Sequence, residues 1–282
     1  MRTPVDLAAE LVDAIAGYGR VAVAMSGGVD SAVVAAAAVR AIGNDAVAVT
    51  AHSPSVAAIE RRDAERTARQ IGIRQVVIAT GEFDSADYVA NRGDRCFHCK
   101  STLYQAMAEW AAASGFDTLA NGTNVDDLGD YRPGLRAASD FAVRSPLVEC
   151  GLTKADVRSV AAHWSLVVAD KPASPCLSSR LAVGVQATPE RVARVERTEA
   201  WLRQRLGPVP LRVRVEAAEL ARIEVPADRI AEVAALAGLV REFRDAGFRA
   251  VTVDLEGFRS GSLNELVPLA MSARESAAGR RG

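Results

Sequence analysis

The stretch from Val21 to Ser31 constrains the fold more than any other part of this 282-residue chain. Val21 to Met25 is a short apolar run, typical of a buried β-strand. Ser26-Gly27-Gly28 ends that run, and the alanine-rich segment from Ser31 to Ile42 is predicted to be a helix, since alanine is the best helix former. A strand, a glycine turn and a helix in this order direct backbone N–H groups and a helix dipole at one point. The stretch therefore predicts a site for an anion such as phosphate.

The turn lacks the lysine of the common phosphate loop Gly-x-x-x-x-Gly-Lys-Ser/Thr. Ser-Gly-Gly-x-Asp-Ser instead resembles the loop of the pyrophosphate-loop ATPases, which cleave ATP between its α- and β-phosphates and adenylate a substrate. Glycine-rich turns between a strand and a helix also occur without any ligand, but here all six positions match in the strand-to-helix context. The resemblance implies that the pyrophosphate of ATP, with Mg²⁺ as its companion ion, is bound by Ser26, Gly27, Gly28, Asp30 and Ser31.

Short apolar runs alternate with helical segments through the first two thirds of the chain. The predicted strands are 21–25, 46–50, 75–79 and 117–120, with Val167 and Val168 closing the sheet. This alternation predicts an α/β fold of the pyrophosphate-loop ATPase type, a parallel twisted sheet with helices on both faces, over residues 1–186. His52, Ser53, Ser55 and the polar segment 121–127 follow strands and are expected at the ligand-binding edge, although His52 is equally well explained as a plain loop histidine.

Residues 187–282 are predicted to form a small α+β domain for substrate binding and assembly. Thr188-Pro189 begins a helix that ends near Leu206, because a cap followed by a first-turn proline is a typical helix start. Two alternating segments, 211–215 and 220–225, are predicted strands, followed by a helix at 227–237 and a last strand at 250–255.

The bulk composition excludes several classes of protein. Apolar residues make up 49% and charged residues 24% of the chain, which is typical of a soluble globular protein. The net charge of −1 gives no overall basic field toward nucleic acid or membrane, and no apolar run is long enough to span a bilayer. Four cysteines without a secretion signal favour the cytoplasm, and thiol or metal chemistry over structural disulfides. The three lysines, Lys100, Lys154 and Lys171, are few beside the arginines, and no function is assigned to that bias.

Three cysteines lie in settings that suggest chemistry. Cys96-x-x-Cys99 directly precedes a predicted helix over 101–114, where the two thiols could share a metal or a disulfide and the helix N-terminus stabilises thiolate. Structural zinc needs four ligands, and the chain has no second pair. A lone cysteine usually packs as a small apolar group, but Cys176 lies in a polar, proline-punctuated loop where Lys171 and Arg180 could hold a thiolate by charge.

Several motifs in one order resemble the LarE family of ATP-dependent sulfur transferases, over about residues 5–265. Besides the phosphate loop they are Arg95-Cys-x-x-Cys-Lys100, Asp130-Tyr-Arg-Pro-Gly134, Ser174-Pro-Cys-Leu-Ser-Ser-Arg180, Arg212-x-Arg214 and Gly257-Phe-Arg-Ser-Gly261. The resemblance implies that ATP adenylates a carboxylate of pyridinium-3,5-biscarboxylic acid mononucleotide, that a sulfur nucleophile displaces AMP, and that the cycle repeats on the second carboxylate. The product would be an intermediate of the nickel-pincer nucleotide cofactor.

The resemblance also assigns roles to residues. Cys176 would attack as the thiolate nucleophile. Arg212, Arg214, Arg259 and Arg180 would hold the substrate phosphate and remaining carboxylate; for the first two the alternative is an exposed strand face, since alternation puts both on one side. Glu199 and Glu232 align with acidic positions that can hold a divalent ion.

The family has two forms of sulfur supply. In one, the cysteine surrenders its own sulfur and becomes dehydroalanine. In the other, three cysteines resembling Cys96, Cys99 and Cys176 hold a [4Fe–4S] cluster whose fourth iron binds sulfide. The paired cysteines favour the second form, because a sacrificial cysteine needs no partner.

Other enzyme classes share the phosphate loop. An ammonia-using synthetase of the NAD or GMP type would not need Cys176 or the cysteine pair. A tRNA-thiolating enzyme uses the same adenylation but needs a basic RNA-binding surface, against which the net charge speaks. A nucleotide sensor that binds AMP without turnover is a non-enzymatic alternative. We therefore expect a small nucleotide substrate, no nucleic-acid or membrane partner, and a homo-oligomer.

Overall fold

The computed structural model describes residues 2–129 and 133–259, and the chain divides into two compact units. Among the described residues, the first unit comprises 2–88, 94–129 and 133–175, and the second comprises 89–93 and 176–259. The boundary between residues 186 and 187 that the sequence indicates stays a prediction; the segment 89–93 falls in the second unit. That segment belongs with the second unit because the side-chain amide of Asn91 donates to the carbonyls of Ala182 and Val185, both at 2.8 Å.

The first unit contains a four-stranded parallel sheet with the order β3-β2-β1-β4. Its strands are β1 (Val21–Ala24), β2 (Ala46–His52), β3 (Arg74–Ala79) and β4 (Thr118–Ala120). The helices from the start of the chain to the end of this unit are α1 (Pro4–Ala16), α2 (Val29–Ile42), α3 (Ala58–Ile71), α4 (Ala86–Ala90), α5 (Arg95–Ser114), α6 (Pro133–Asp140), α7 (Pro146–Glu149) and α8 (Lys154–His163). The predicted parallel α/β fold is confirmed.

The two faces of this sheet carry separate apolar cores. Val21 and Val23 of β1 pack with buried side chains of α1, α2 and α8, whereas Ala22 between them packs with Tyr104 and Met107 of α5. This alternation is what a strand buried on both faces requires, because successive side chains point to opposite sides. Helices therefore cover both faces, as the sequence predicts.

Val167 and Val168 do not form a strand, contrary to the sequence prediction. They lie in a turn after α8, in which Ala169 N–H donates to the carbonyl of Leu166 at 3.0 Å. Ser165 has a φ of +54°, which turns the chain out of the extended conformation just before the two valines. Two β-branched residues are too short a run to override that local turn.

The second unit is built on a three-stranded mixed sheet with the order β5-β6-β7. The strands are β5 (Arg212–Glu216), β6 (Leu220–Glu224) and β7 (Ala250–Val253), and the helices are α9 (Pro189–Leu206), α10 (Ile230–Ala234) and α11 (Leu239–Asp245). β5 and β6 are antiparallel, whereas β6 and β7 are parallel. The helix predicted at 227–237 is a 3₁₀ turn followed by the short α10. In the described part of the chain, no helix is both long and apolar enough to cross a membrane.

Candidate active site

The turn between β1 and α2 is fixed by two glycines. Gly27 has a φ of +79°, a region that L side chains rarely adopt, and a Cβ built on it would lie 3.0 Å from backbone atoms of Ala64 in α3. Gly28 is the N-cap of α2, with extended backbone angles and no side chain to cap the helix. The first N–H groups of a 14-residue helix therefore face this turn without a side-chain acceptor on the cap residue, which suits a ligand anion.

Two serine hydroxyls hold the turn in shape. The Ser31 hydroxyl donates to the carbonyl of Gly28 at 3.1 Å and accepts from the backbone N–H of Ser26 at 3.3 Å. The hydroxyls of Ser26 and Ser31 are themselves 3.3 Å apart. Ser31 is buried, whereas Ser26 is exposed. The buried hydroxyl therefore fixes the backbone, and the exposed one is available to a ligand.

Asp30, at the start of α2, is held by residues from two distant segments. The Asn124 side-chain amide donates to its Oδ1 at 3.1 Å, and the Lys154 ammonium donates to its Oδ2 at 2.5 Å. Gly122 permits this approach, because a Cβ at that position would lie 2.6 Å from the backbone nitrogen of Ser31. The polar segment after β4 thus reaches the phosphate loop, as its place at the carboxyl end of a strand predicts.

Lys171 also reaches the loop. Its ammonium donates to the carbonyl of Gly27 at 3.2 Å and to Glu60 at 2.8 Å, and it lies 2.9 Å from a carboxylate oxygen of Asp63. The sequence places Lys171 beside the Cys176 thiol, whereas these contacts tie α3 to the phosphate loop. Two of the three lysines in the chain, Lys154 and Lys171, contact the phosphate loop. Their rarity is the sequence feature that could have marked them as residues of the site.

A buried carboxylate lies beyond the ends of β2 and β3. Glu82, 1% exposed, accepts hydrogen bonds from the hydroxyls of Ser53 and Ser55. Its Oε2 has no hydrogen-bond partner among the described residues. Ser53 and Ser55 are buried at this edge as the sequence predicts, whereas His52 is exposed. Sequence reasoning missed Glu82, because a single acidic residue in a short loop carries no pattern.

The cysteine pair lies inside α5 and not before it. Cys96 is the second and Cys99 the fifth residue of this helix, and a spacing of three residues puts both side chains on one face. Cys96 is exposed and Cys99 is half-buried. His98, between them, makes a 3.2 Å contact with Asp94, the N-cap residue. Residues 130–132 of the Asp-Tyr-Arg-Pro-Gly motif lie outside the described residues.

Cys176 is half-buried at the start of a 3₁₀ turn that spans Leu177–Arg180. The Arg180 guanidinium donates to the carbonyl of Cys176 at 3.0 Å, and the N–H of Ser179 donates to the same carbonyl at 2.9 Å. These two bonds fix the backbone that carries the thiol. All four cysteines are thiols and none forms a disulfide; the fourth, Cys150, has a pKa raised mainly by burial, which suits an unreactive packing residue.

The two arginines of β5 lie on one side of the strand in different environments. Arg214 is buried and makes a two-point ion pair with Glu224, at 3.0 and 2.8 Å. Arg212 is half-buried and lies over the Phe258 ring at 4.9 Å, and no carboxylate pairs with it among the described residues. Burial, with Arg214 and Arg180 nearby, holds the pKa of Arg212 below its ordinary value. The Arg212 guanidinium is therefore able to bind an anionic ligand.

The remaining predicted site residues are engaged in ion pairs. Arg180 pairs with buried Glu199 at 3.0 Å, and Arg203 contacts the same carboxylate at 2.6 Å. Glu232 pairs with Arg229 on the surface. No three His, Cys, Asp or Glu side chains are grouped to hold a metal ion in the described ranges, so the structure does not bring Glu199 and Glu232 together as a metal site. Arg259 is exposed and contacts Glu256; Ser260 and Gly261 lie outside the described residues.

The chain is similar to one family model over its N-terminal third and to several known proteins over most of its length. The family model described as NAD synthase matches residues 6–98, which include the phosphate loop. An uncharacterized protein of Synechocystis sp. is 44% identical over 251 residues, 88% of this chain and 93% of its own length. Pyridinium-3,5-bisthiocarboxylic acid mononucleotide synthase of Lactiplantibacillus plantarum is 37% identical over 268 residues, 94% of this chain and 96% of its own length. A tRNA-specific 2-thiouridylase of Thermobifida fusca is 37% identical, but over only 55% of this chain and 52% of its own length.

Proposed function

Since the chain belongs to the LarE family of pyrophosphate-loop proteins, we propose that it is an ATP-dependent sulfur transferase acting on pyridinium-3,5-biscarboxylic acid mononucleotide. The observation that carries the proposal is the match to the Lactiplantibacillus synthase, which extends over nearly the whole of both chains. At 94% of this chain, the match is long enough to extend over both the unit with the phosphate loop and the unit with Cys176 and β5.

In the first step a substrate carboxylate is adenylated. A carboxylate is a poor electrophile, and its oxygen therefore attacks the α-phosphorus of ATP, bound as its Mg²⁺ complex. The bond between the α-phosphorus and the bridging oxygen breaks, and pyrophosphate leaves with the electron pair. Ser26, Gly27, Gly28, Asp30 and Ser31 form the turn that would hold the pyrophosphate, with the N-terminus of α2 supplying N–H donors.

In the second step sulfur replaces AMP. In the form where Cys176 is itself the sulfur source, we assign the nucleophile to its thiolate, which would attack the acyl carbon; a carbon–sulfur bond forms and AMP leaves with the electron pair of the broken acyl–oxygen bond. The hydrogen bonds from Arg180 and Ser179 to the Cys176 carbonyl fix the backbone that carries the thiol. Cleavage of the Cβ–S bond of Cys176 then releases the thiocarboxylate, and the second carboxylate requires a second protein molecule in this form.

Arg212 would bind the anionic part of the substrate. It has no carboxylate partner among the described residues, and it lies beside a ring that can stack on a pyridinium nucleotide. Arg214 and Arg180, which are committed to Glu224 and Glu199, would orient the strand and the loop around Arg212. Exposed Arg259 is the fourth arginine that the family resemblance assigns to the substrate.

The sulfur source is the finer part of the proposal. Three thiols are the donor set of a [4Fe–4S] cluster with one open iron, and Cys96 and Cys99 already share one helical face. We assign Cys96, Cys99 and Cys176 to such a cluster on the family resemblance alone, since no three potential metal ligands are grouped among the described residues; when bound, the cluster would supply sulfide to the activated carboxylate. In the sacrificial alternative, loss of a Cα proton from Cys176 breaks its Cβ–S bond and leaves dehydroalanine.

Release of pyrophosphate separates the candidate functions. Purified full-length protein is incubated with ATP and Mg²⁺, and with the pyridinium dicarboxylate mononucleotide, with tRNA, or with neither. We expect pyrophosphate release only with the pyridinium substrate. The similarity to the Thermobifida 2-thiouridylase makes tRNA the second candidate, and release that depends on tRNA would replace the proposed substrate. Binding of AMP without pyrophosphate release under any condition would indicate a nucleotide sensor.

A further inference from the structure

The antiparallel strands β5 and β6 carry charged side chains on one face. In their register Arg212 lies opposite Glu224, and Arg214 lies opposite Arg222. Residues directly opposite each other have neighbouring side chains on the same face, and such pairs attract when their charges are opposite and repel when they are alike. The register by itself therefore favours an ion pair between Arg212 and Glu224 and disfavours the position of Arg214 beside Arg222.

Glu224 pairs instead with the arginine diagonal to it. Its two carboxylate oxygens accept hydrogen bonds from Arg214 at 3.0 and 2.8 Å, and its Oε1 also accepts from Arg222 at 2.9 Å. Glu224 is fully buried. Arg212 has no carboxylate partner among the described residues, although the residue opposite it is acidic. Contacts other than the strand register therefore set the direction of the Glu224 side chain.

Arg222 supplies those contacts, because it gathers three carboxylates on one guanidinium. Its Nε donates to Glu216 at 3.0 Å, and its Nη1 donates to Asp254 at 2.5 Å and to Glu224 at 2.9 Å. The Arg222 side chain is only 16% exposed, so water screens these contacts weakly. Glu224 thus bridges Arg222 and Arg214, which offsets the repulsion between the two opposed cations.

Removal of the Arg222 guanidinium would change which arginine Glu224 contacts. The other acids around Arg222 would lose their cation, and Arg214, opposite the vacated position, would turn toward them. Glu224 would then be released toward Arg212, directly across the strand pair. A guanidinium that is closed by a buried carboxylate has few N–H donors and little charge left for a ligand.

We propose that Arg222 is a positioning residue for substrate binding, which holds Glu224 on the side of Arg214 and so keeps Arg212 open to an anionic group of the ligand. This inference rests on the proposed function for the identity of that ligand, the pyridinium dicarboxylate mononucleotide. Arg222 acts through Glu224 and does not itself contact the ligand. The role accounts for a charged face on which acids surround two of the arginines and leave the third without a carboxylate among the described residues.

Two measurements on full-length protein test this role. One is the rate at which phenylglyoxal, a reagent for guanidinium groups, modifies Arg212, followed by mass spectrometry of peptides. The other is calorimetric binding of the pyridinium mononucleotide. In Arg222→Met we expect both the modification rate and the affinity to fall about 10-fold, because Glu224 then occupies the Arg212 guanidinium. Arg222→Lys should lose only about 2- to 4-fold in each, since an ammonium keeps a charge beside Glu224 but lacks the fork that reaches several acids.

The variant Glu224→Gln separates this mechanism from a general loss of structure. A glutamine cannot neutralise Arg212, so adding Arg222→Met to the Glu224→Gln protein should cause no further fall in either measurement. Arg191→Met is the control, because it removes another partly buried ion pair of the same unit, and it should change neither the modification of Arg212 nor the affinity.

A wild-type modification rate and affinity in Arg222→Met would overturn the proposal. A fall in affinity without slower modification of Arg212 would also overturn it, as would a loss of the same size in the Glu224→Gln background. If Arg222→Met slows modification of Arg212 in a protein whose wild type does not bind the pyridinium mononucleotide, the proposed substrate would be refuted and the role of Arg222 would stand.

Discussion

At the scale of single residues, Arg212 and Arg214 show how one strand face can carry two roles. Both guanidiniums lie on the same side of β5, but only Arg214 has a carboxylate, Glu224, in a two-point pair. Such a pair is satisfied within the fold and has little charge left for a ligand. The Arg212 guanidinium lies over the Phe258 ring, is partly desolvated and has no carboxylate partner among the described residues. Burying an unpaired charge costs free energy, and a bound anion would offset that cost.

Substitution of these two arginines should therefore affect different properties: stability for Arg214 and substrate binding for Arg212. Arg214→Met removes the two-point partner of the buried Glu224 carboxylate, and should lower the free energy of unfolding by about 3 kcal/mol. Arg212→Met should change that free energy by less than about 1 kcal/mol but weaken binding of the pyridinium mononucleotide by about 10- to 100-fold. Chemical denaturation and substrate calorimetry measure the two effects. Equal loss of stability in both variants would contradict the separation of roles.

Cys176 should be required for the second half-reaction alone. Cys176→Ser removes the sulfur nucleophile and puts a hydroxyl in its place, while the Arg180 and Ser179 bonds to the backbone carbonyl remain. We expect pyrophosphate release on the first carboxylate to persist and thiocarboxylate formation to cease, with an acyl-adenylate accumulating. Mass spectrometry of the small-molecule products detects both species. Thiocarboxylate formation at the wild-type rate would remove Cys176 from the mechanism.

At the scale of elements, the loop after β4 and the N-terminus of α2 are packed too closely for any side chain between them. A Cβ on Gly122 would lie 2.6 Å from the Ser31 nitrogen and 2.8 Å from the Asp30 carbonyl carbon, both of them backbone atoms that cannot rotate away. The phosphate loop is thus positioned by its neighbour as well as by its own glycines.

Gly122→Ala should therefore displace the start of α2 and reduce both stability and pyrophosphate affinity. The overlap is of a size that costs about 1–3 kcal/mol in packed regions. Gly129→Ala is the matched control in the same segment, because no atom of the described residues lies within 4 Å of a Cβ there, and it should change neither property. Thermal unfolding and pyrophosphate calorimetry of both variants measure the difference. A Gly122→Ala protein that binds like the wild type would show that the loop moves freely.

The stability that the capping residues at the start of α8 contribute should decrease as the pH falls. Hydrogen bonds from the Thr153 hydroxyl and backbone lower the pKa of Asp156 below its ordinary 3.8. A lowered carboxyl pKa adds stability above the unfolded value, and that stability is lost as the pH falls through the folded value. Thr153→Ala should cost about 1 kcal/mol near pH 7, and its deficit should shrink below about pH 4. Urea unfolding of both proteins from acid to neutral pH measures this difference in stability. A deficit that grows as the pH falls would contradict the role given to the Thr153–Asp156 hydrogen bonds.

At the scale of the whole molecule, the sequence predicted what depends on local pattern. The strand, glycine turn and helix around Gly27 followed from residues adjacent in the chain, and so did the Thr188 cap of α9. Lys154 and Lys171 were not predicted, because their positions depend on packing between segments more than 100 residues apart. The pairing of Arg214 with Glu224 depends likewise on the register of β5 and β6, which a single strand's pattern does not fix.

The source of the sulfur involves cysteines from distant parts of the chain. The iron content and the mass of the purified protein distinguish a cluster-based source from a sacrificial one. Anaerobically purified protein should carry about four irons per chain and keep its mass through several turnovers, because a cluster with an open iron can be recharged by sulfide. Cys96→Ser and Cys99→Ser should lose the iron and repeated turnover, since each removes a thiolate ligand. Cys150→Ser is the control, because burial keeps that thiol protonated, and it should retain both. An iron-free protein that loses one H₂S per transfer would instead make Cys176 the sacrificial donor and leave the cysteine pair on α5 without a part in the reaction.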